Sequence, residues 1–199
     1  PEGQVLDKME ADLKKGFGEK YYIKPLDYKP VEEKKTDTNN VATEKLKFLI
    51  ELYSDYWKDP PIAEIYINGD SQYKNYIKGT QDNPDVISFY YDLKEGSDYD
   101  LIIDRYNKTE KQTNVVDGKI LNDQLLHIKS IEIDEINIGA LVYEGVYKPN
   151  YPTRWAIQQK KAGKDLPASF KNVTCMGHNG TWTFKFSSPF YIWLLENLY

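Results

Sequence analysis

Residues 62–146 alternate short runs of β-branched and aromatic residues with turn signals. The turn signals include Asn68-Gly69, Glu95-Gly96-Ser97 and Asp117-Gly118. Connections this short join antiparallel strands, because a parallel pair needs a crossover of about a dozen residues or more. This region therefore predicts an antiparallel sheet, with its clearest hairpin around Asp117-Gly118.

Apolar residues at helical spacing predict helices outside this region. In residues 41–57 they recur at i, i+3, i+4, i+7 and i+11: Leu46, Leu49, Ile50, Tyr53 and Trp57. The same reasoning predicts an N-terminal helix over residues 3–16 and a closing helix that starts at Pro189. The predicted fold class is α+β, a mainly antiparallel curved sheet covered by N-terminal, middle (41–57) and C-terminal helices.

Shorter elements are predicted between residues 150 and 187. Residues 153–161 favour a helix that stops at Gly163. Residues 170–175 and 181–186 are rich in strand-forming residues and flank the turn-forming sequence Gly177-His178-Asn179-Gly180. This pattern predicts that the two runs form a hairpin with each other.

The polar stretch 29–40 suggests a boundary in the chain. It contains Pro30 and the charged run Glu32-Glu33-Lys34-Lys35, with no large apolar residue after Val31. We interpret residues 1–28 as a helix–strand segment that forms an appendage, 29–40 as a linker or mobile loop, and 41–199 as the main α+β domain. The alternative is that 29–40 is a long surface loop of one domain.

Composition disfavours several kinds of partner. The net charge is −5, and the only arginines are Arg105 and Arg154, so a nucleic-acid-binding surface is not expected. No window reaches the ~18 apolar residues of a membrane-spanning helix, so we predict no transmembrane segment. Cys175 is the single cysteine, so no internal disulfide can form.

The residues that could carry chemistry do not form a recognised motif. Cys175 and His178 are three apart across a predicted turn, and His127 lies in a predicted strand. Strand carboxylates such as Glu132 and Asp134 alternate with isoleucines, as in an ordinary half-solvated strand. We therefore predict no catalytic residue, no metal ligand and no cofactor.

Aromatic content is the unusual feature, with 17 tyrosines and 4 tryptophans. The densest segment carries four such residues: Tyr143, Tyr147, Tyr151 and Trp155. Pro149 and Pro152 exclude a continuous helix and favour an extended loop. Tyrosine and tryptophan offer large amphipathic contact area, so we predict that these residues bind a protein or a carbohydrate. The alternative is that the rings close the core.

These observations favour a non-catalytic binding or accessory domain of the cell envelope or the extracellular space. The chain has one cysteine and begins at Pro1 instead of methionine. These two features favour an exported or lipid-anchored product. Two alternatives remain: an acid/base hydrolytic enzyme that uses sheet carboxylates, and a structural component of a larger assembly. The sequence gives no indication of oligomeric state, and a cytoplasmic location stays open.

Overall fold

The segment Thr43–Asp55 forms a 13-residue strand, β1, in the computed structural model, which describes residues 41–198. Alternate side chains along it are buried: Leu46, Phe48, Ile50 and Leu52. This period of two belongs to a strand, so the helix predicted over residues 41–57 is wrong. Leu49 and Tyr53 supplied the helical spacing, but they lie on the other, half-buried face of the strand.

Twelve further strands follow in the described residues: β2 (Ile62–Ile67), β3 (Asp70–Tyr76), β4 (Asp85–Lys94), β5 (Asp98–Tyr106), β6 (Asn114–Val116), β7 (Lys119–Asn122), β8 (Leu125–Ile133), β9 (Ile136–Asn137), β10 (Val146–Pro149), β11 (Phe170–Lys171), β12 (Cys175–Met176) and β13 (Gly180–Ser187). The helices are short: α1 (Thr153–Lys161), α2 (Phe190–Asn197) and two 3-10 helices, Glu110–Gln112 and Gly139–Glu144. The helix predicted over 153–161 is confirmed, and Gly163 follows it with a φ of +73°.

The strands form two main antiparallel sheets and one separate hairpin. The first sheet has the order β12–β8–β1–β4, with β9 paired to β8. The second has the order β11–β10–β13–β5–β2–β3. The hairpin predicted around Asp117-Gly118 is confirmed as β6–β7, and both turn residues have positive φ angles.

The buried faces of the two sheets supply the core, so the predicted α+β class is wrong. Phe48 of the first sheet and Phe186 of the second meet with ring centroids 6.0 Å apart. An apolar sheet face needs a covering layer, and here a second sheet provides it in place of helices. The N-terminal helix and the segments 1–28 and 29–40 lie outside the described residues, so the predicted domain division stays a prediction.

Residues 170–187 do not form the predicted hairpin. Phe170 pairs with Tyr147 in the second sheet, whereas Cys175 pairs with His127 in the first. After Met176 the chain crosses back, and β13 pairs with β10 and β5. The turn-forming sequence therefore connects strands of different sheets, since β12 belongs to the first sheet and β13, like β11, to the second.

The closing helix predicted from Pro189 is confirmed as α2. Its Phe190 and Leu194 are buried against the core, whereas Ile192 and Leu195 are exposed, so only one face docks. A carboxylate oxygen of Glu44 accepts hydrogen bonds from the Phe190 N–H and the Ser188 hydroxyl at 2.8 and 2.6 Å. Within residues 41–198, no helix has the length and apolar character needed to cross a membrane.

Candidate ligand-binding groove

Four connecting segments meet at the end of the sandwich where β5 and β10 finish and β13 begins. They enclose a groove of about 380 Å³, which we call the loop groove. Its polar lining includes Lys108, Asp123, His178 and Asn179. Trp155 provides an aromatic wall, and Val115 and Ile120 of the β6–β7 hairpin are apolar lining residues.

The Lys108 ammonium connects three of these segments through its hydrogen bonds. It contacts Asp123 Oδ1 at 2.7 Å and also donates to the carbonyl oxygens of Gln124 and Gly177. Burial lowers the pKa of Lys108, and the attraction of Asp123 opposes that shift. Because its three protons are already directed at protein oxygens, Lys108 holds the loops in place and has little capacity left for an external anion.

Asp123 presents one oxygen to the protein and leaves the other available. Its Oδ1 accepts from Lys108, from the Thr113 hydroxyl at 2.8 Å and from the Gln124 N–H at 2.8 Å. Burial acts to raise the pKa of Asp123, but these hydrogen bonds outweigh it and lower the pKa. No residue among 41–198 donates to Oδ2, so an ionised, half-buried acceptor remains in the groove.

Asn179 fixes the opposite rim by pairing its amide with the backbone of Lys108. Its Oδ1 accepts from the Lys108 N–H at 2.9 Å, and its Nδ2 donates to the Lys108 carbonyl at 3.0 Å. The Asn179 carbonyl in turn accepts from the Asn150 N–H at 2.6 Å. These bonds connect three loops before any ligand binds, so little ordering entropy remains to be lost on binding.

Of the four predicted binding residues, Trp155 lines the groove together with His178, and Tyr151 packs against both of these rings without lining the groove. The Tyr151 and Trp155 rings stack with centroids 5.7 Å apart. The His178 ring lies 5.0 Å from Tyr151 and 4.9 Å from Trp155. All three side chains are half-buried, so their remaining surface is open to solvent.

The other two predicted residues lie elsewhere. Tyr147 is buried, and its hydroxyl donates to the His178 carbonyl at 2.6 Å and accepts from the His178 N–H at 2.9 Å. Burial raises the pKa of Tyr147 to about 12, so this hydroxyl keeps its proton. Tyr143 lies on the 3-10 helix Gly139–Glu144, is exposed, and does not line the loop groove. A binding role for any of the four stays a prediction.

His178, Lys108, Asp123 and Asn179 were not predicted as site residues. They come from three separated segments of the chain, and no local spacing relates them. The residues Gly177–Gly180 are predicted as a turn, which favours an exposed position for His178, whereas its side chain is half-buried against two aromatic rings. Burial, together with the positive charges of Lys108 and Arg105, lowers the pKa of His178.

We expect this lowered pKa to make stability depend on pH. The unfolded chain binds the proton of His178 more tightly than the folded domain, so stability is undiminished above the unfolded pKa of about 6.5 and is lost as the pH falls below it and through the lowered folded pKa. Urea unfolding of the wild type and of His178→Gln at pH 8 and pH 5.5 would measure this. The wild type should lose more free energy of unfolding than the variant over this interval. Equal losses in the two proteins would contradict the assignment.

A buried polar network lies behind the groove. Arg105 is fully buried, and its Nη2 donates to the backbone oxygen and to Oε1 of Gln124 at 2.7 and 2.6 Å. Its Nε and Nη1 have no partner in the described residues. Burial lowers the pKa of Arg105 to about 10, so it remains charged at neutral pH. Gln124 Nε2 continues the network by donating to the Asp59 carbonyl at 2.7 Å.

Of the residues considered for catalysis, only His178 lines the groove. Cys175 lies opposite His127 on neighbouring strands, and burial raises the pKa of its thiol, which disfavours the reactive thiolate. His127 stacks on Tyr53 with centroids 4.4 Å apart. Glu132 lies in β8 of the first sheet and Asp134 directly follows that strand, and neither lines the groove. Residues 41–198 hold no cluster of three or more His, Cys, Asp or Glu side chains arranged for a metal ion.

Comparison with known proteins finds solved structures of low overall similarity in fold. No protein-family model and no curated protein matches the chain. One similar solved structure is vCBM60 in complex with galactobiose, with 9% identity, a TM-score of 0.41, and 69% of this chain and 96% of that chain covered. A selenomethionine form of vCBM60, from work on two families of calcium-dependent carbohydrate-binding modules, gives 7% identity, a TM-score of 0.40, and coverage of 70% and 89%. Similarity at this level does not identify a ligand for this chain, so the functional argument rests on its own residues.

Proposed function

We propose that residues 41–198 form a non-catalytic carbohydrate-binding domain that holds a saccharide in the loop groove. The observation that carries this proposal is the aromatic wall of Trp155 and His178, supported by Tyr151, beside the Asp123 oxygen that has no partner among residues 41–198. The groove volume of about 380 Å³ lies within the range of small-ligand sites, roughly 300–1,000 Å³.

A sugar ring has C–H faces that are apolar and hydroxyl edges that are polar. An indole or phenol ring presents a broad apolar surface that can cover such a face. Trp155 and Tyr151 support each other by stacking, so this surface exists before the ligand arrives. Asp123 Oδ2 and the His178 ring nitrogens, none of which has a hydrogen-bond partner in the described residues, would bind hydroxyl groups at the ring edge.

The charge and size of the groove favour a neutral saccharide over the other partners considered. The Lys108 charge is neutralised by Asp123 and Glu110 adds a negative charge, so the described lining has no unpaired cation that would attract a phosphate or carboxylate. A stable protein interface buries about 800 Å² on each partner, whereas this groove is suited to a small ligand. The envelope or extracellular location remains part of the proposal.

The test is the removal of the aromatic wall. Binding by the full chain is first surveyed on a glycan array and then measured by calorimetry with galactobiose, cellobiose, xylobiose, maltose and any array ligand. Trp155→Ala is expected to weaken binding about 30-fold, since truncation of a central aromatic residue costs about 2 kcal/mol.

Trp57→Ala is the matched control, because Trp57 is exposed and does not line the loop groove. This variant should bind within about twofold of the wild type. Thermal unfolding of both variants establishes that they remain folded. Wild-type affinity in folded Trp155→Ala, or no saccharide ligand on the array, would refute the proposal.

A further inference from the structure

A second groove of about 770 Å³, twice the volume of the first, is lined by strands of the second sheet and by helix α2. We call it the sheet groove. Strands β5, β13 and β10 contribute Asp100, Thr183, Lys185 and Lys148, and helix α2 contributes Trp193 and Asn197. No lining residue is shared between the two grooves.

The pleat of β13 explains why this face is polar. Its Trp182, Phe184 and Phe186 are buried in the core, so Thr183 and Lys185 between them point outwards. Lys185 lies opposite Asp100 in register and contacts its carboxylate at 2.9 Å. These side chains are attached to paired strands, so their spacing is fixed by the sheet.

The sheet groove combines an aromatic wall with unused hydrogen-bonding groups. The Trp193 ring packs edge-on against Phe184, with centroids 5.7 Å apart, and is only half-buried. In the described residues, the Trp193 indole N–H, the Thr183 hydroxyl and the Lys148 ammonium make no hydrogen bond. Asn197 Nδ2 donates to the Trp193 carbonyl at 2.7 Å, which leaves its Oδ1 free to accept.

The charges of the lining cancel. Lys148 and Lys185 are balanced by Asp100 and by Glu144 of the 3-10 helix. A lining with an aromatic wall, several donors and acceptors and no net charge suits a neutral polyhydroxylated ligand better than an anion or a cation. The larger volume favours a longer chain than the loop groove accepts.

We propose that the sheet groove is a second saccharide site, specific for oligosaccharides longer than those held in the loop groove. This inference rests on the proposed carbohydrate-binding function. It assigns Trp193 as the aromatic contact, and Thr183, Lys148 and Asn197 as hydrogen-bonding groups. A domain with both sites binds two segments of a polysaccharide at once.

The two sites can be observed separately through the indole N–H signals of the four tryptophans. The ¹⁵N-labelled full chain is titrated with cellotetraose, xylotetraose, maltotetraose and galactotetraose, and with the corresponding disaccharides. Trp155 reports on the loop groove and Trp193 on the sheet groove. Trp182, which is fully buried, and Trp57, which lies in neither groove, serve as references.

A tetrasaccharide is expected to shift both the Trp155 and the Trp193 signals, each with its own Kd, whereas its disaccharide acts mainly on Trp155. Thr183→Arg, which fills the sheet groove, should raise the Kd reported by Trp193 at least tenfold and leave that reported by Trp155 within twofold. Ser88→Arg, on an exposed position of the other sheet, is the matched control and should change neither.

The outcomes separate this inference from the proposed function. If Trp155 shifts at saturation and Trp193 does not, the sheet groove is refuted and the loop groove stands. If Trp193 alone shifts, the loop groove is refuted and the sheet groove stands. If neither signal shifts with any saccharide, both are refuted. A Trp193 shift that persists unchanged in folded Thr183→Arg also overturns the sheet groove.

Discussion

Replacing Gln124 with alanine is expected to destabilise the domain by about 2.5–4 kcal/mol. The Gln124 side chain accepts from the fully buried guanidinium of Arg105 at 2.6 Å and donates to the Asp59 carbonyl at 2.7 Å. A hydrogen bond to a charged group contributes about 1.5–3 kcal/mol and a neutral one about 1 kcal/mol. Removal leaves the Arg105 charge in the interior with only the Gln124 backbone oxygen as partner.

Urea unfolding at pH 7 measures this effect, and the midpoint should fall with little change in the m-value. Gln81→Ala is a suitable control because the Gln81 side chain is exposed and makes no hydrogen bond in the described residues. A loss below about 1 kcal/mol for Gln124→Ala would show that Arg105 finds another partner or that its charge is not buried. The network also connects the core to the loops, so the variant should weaken saccharide binding.

Gly145→Ala is expected to cost at least about 3 kcal/mol, at or above the upper end of the usual cost of overpacking a core. A Cβ at this position would lie 2.1 and 2.2 Å from atoms Cζ2 and Cε2 of the Trp182 indole. Trp182 is fully buried, stacks with Phe184, and donates its Nε1–H to the Val173 carbonyl at 3.3 Å. It therefore has no free space into which it could move.

The backbone at Gly145 has a φ of −60°, which alanine adopts readily, so the expected cost is steric alone. Gly177→Ala is the matched control, because its Cβ would meet only Leu125, at 3.8 Å. This control should change the free energy of unfolding by less than about 1 kcal/mol. Thermal unfolding of both variants distinguishes them, and equal stability of the two would contradict the packing described around Trp182.

Sequence reasoning succeeded where a feature depends on neighbouring residues. Asp117-Gly118 specifies its hairpin because these residues tolerate the positive φ angles of the turn. Tyr151 and Trp155 lie four residues apart around the start of α1, and they stack as neighbours. Pro149 and Pro152 do exclude a continuous helix, but the predicted extended loop is divided in the structure, with Tyr147 in β10 and Trp155 in α1.

The sequence failed for β1 because its pattern fits two structures. From Leu46 to Tyr53 only Lys47 and Glu51 are polar, so both a period of two and a helical spacing find apolar residues. The strand conformation of β1 is decided by β4 and β8. These two strands pair with β1 along both of its edges and satisfy its backbone hydrogen-bonding groups. The local conformational propensity of these residues contributes less to the stability of the strand than these tertiary hydrogen bonds and the packing of the second sheet do.

The sequence by itself determined the strand-rich character, the β6–β7 turn and the two α-helices, since each is encoded over a few adjacent residues. Only the tertiary structure decided which strands pair, which tyrosine is buried, and that Lys108, Asp123 and His178 surround one groove. These residues are separated by tens of positions along the chain. Their proximity follows from strand pairing between the sheets, a property of the whole fold that no short segment encodes.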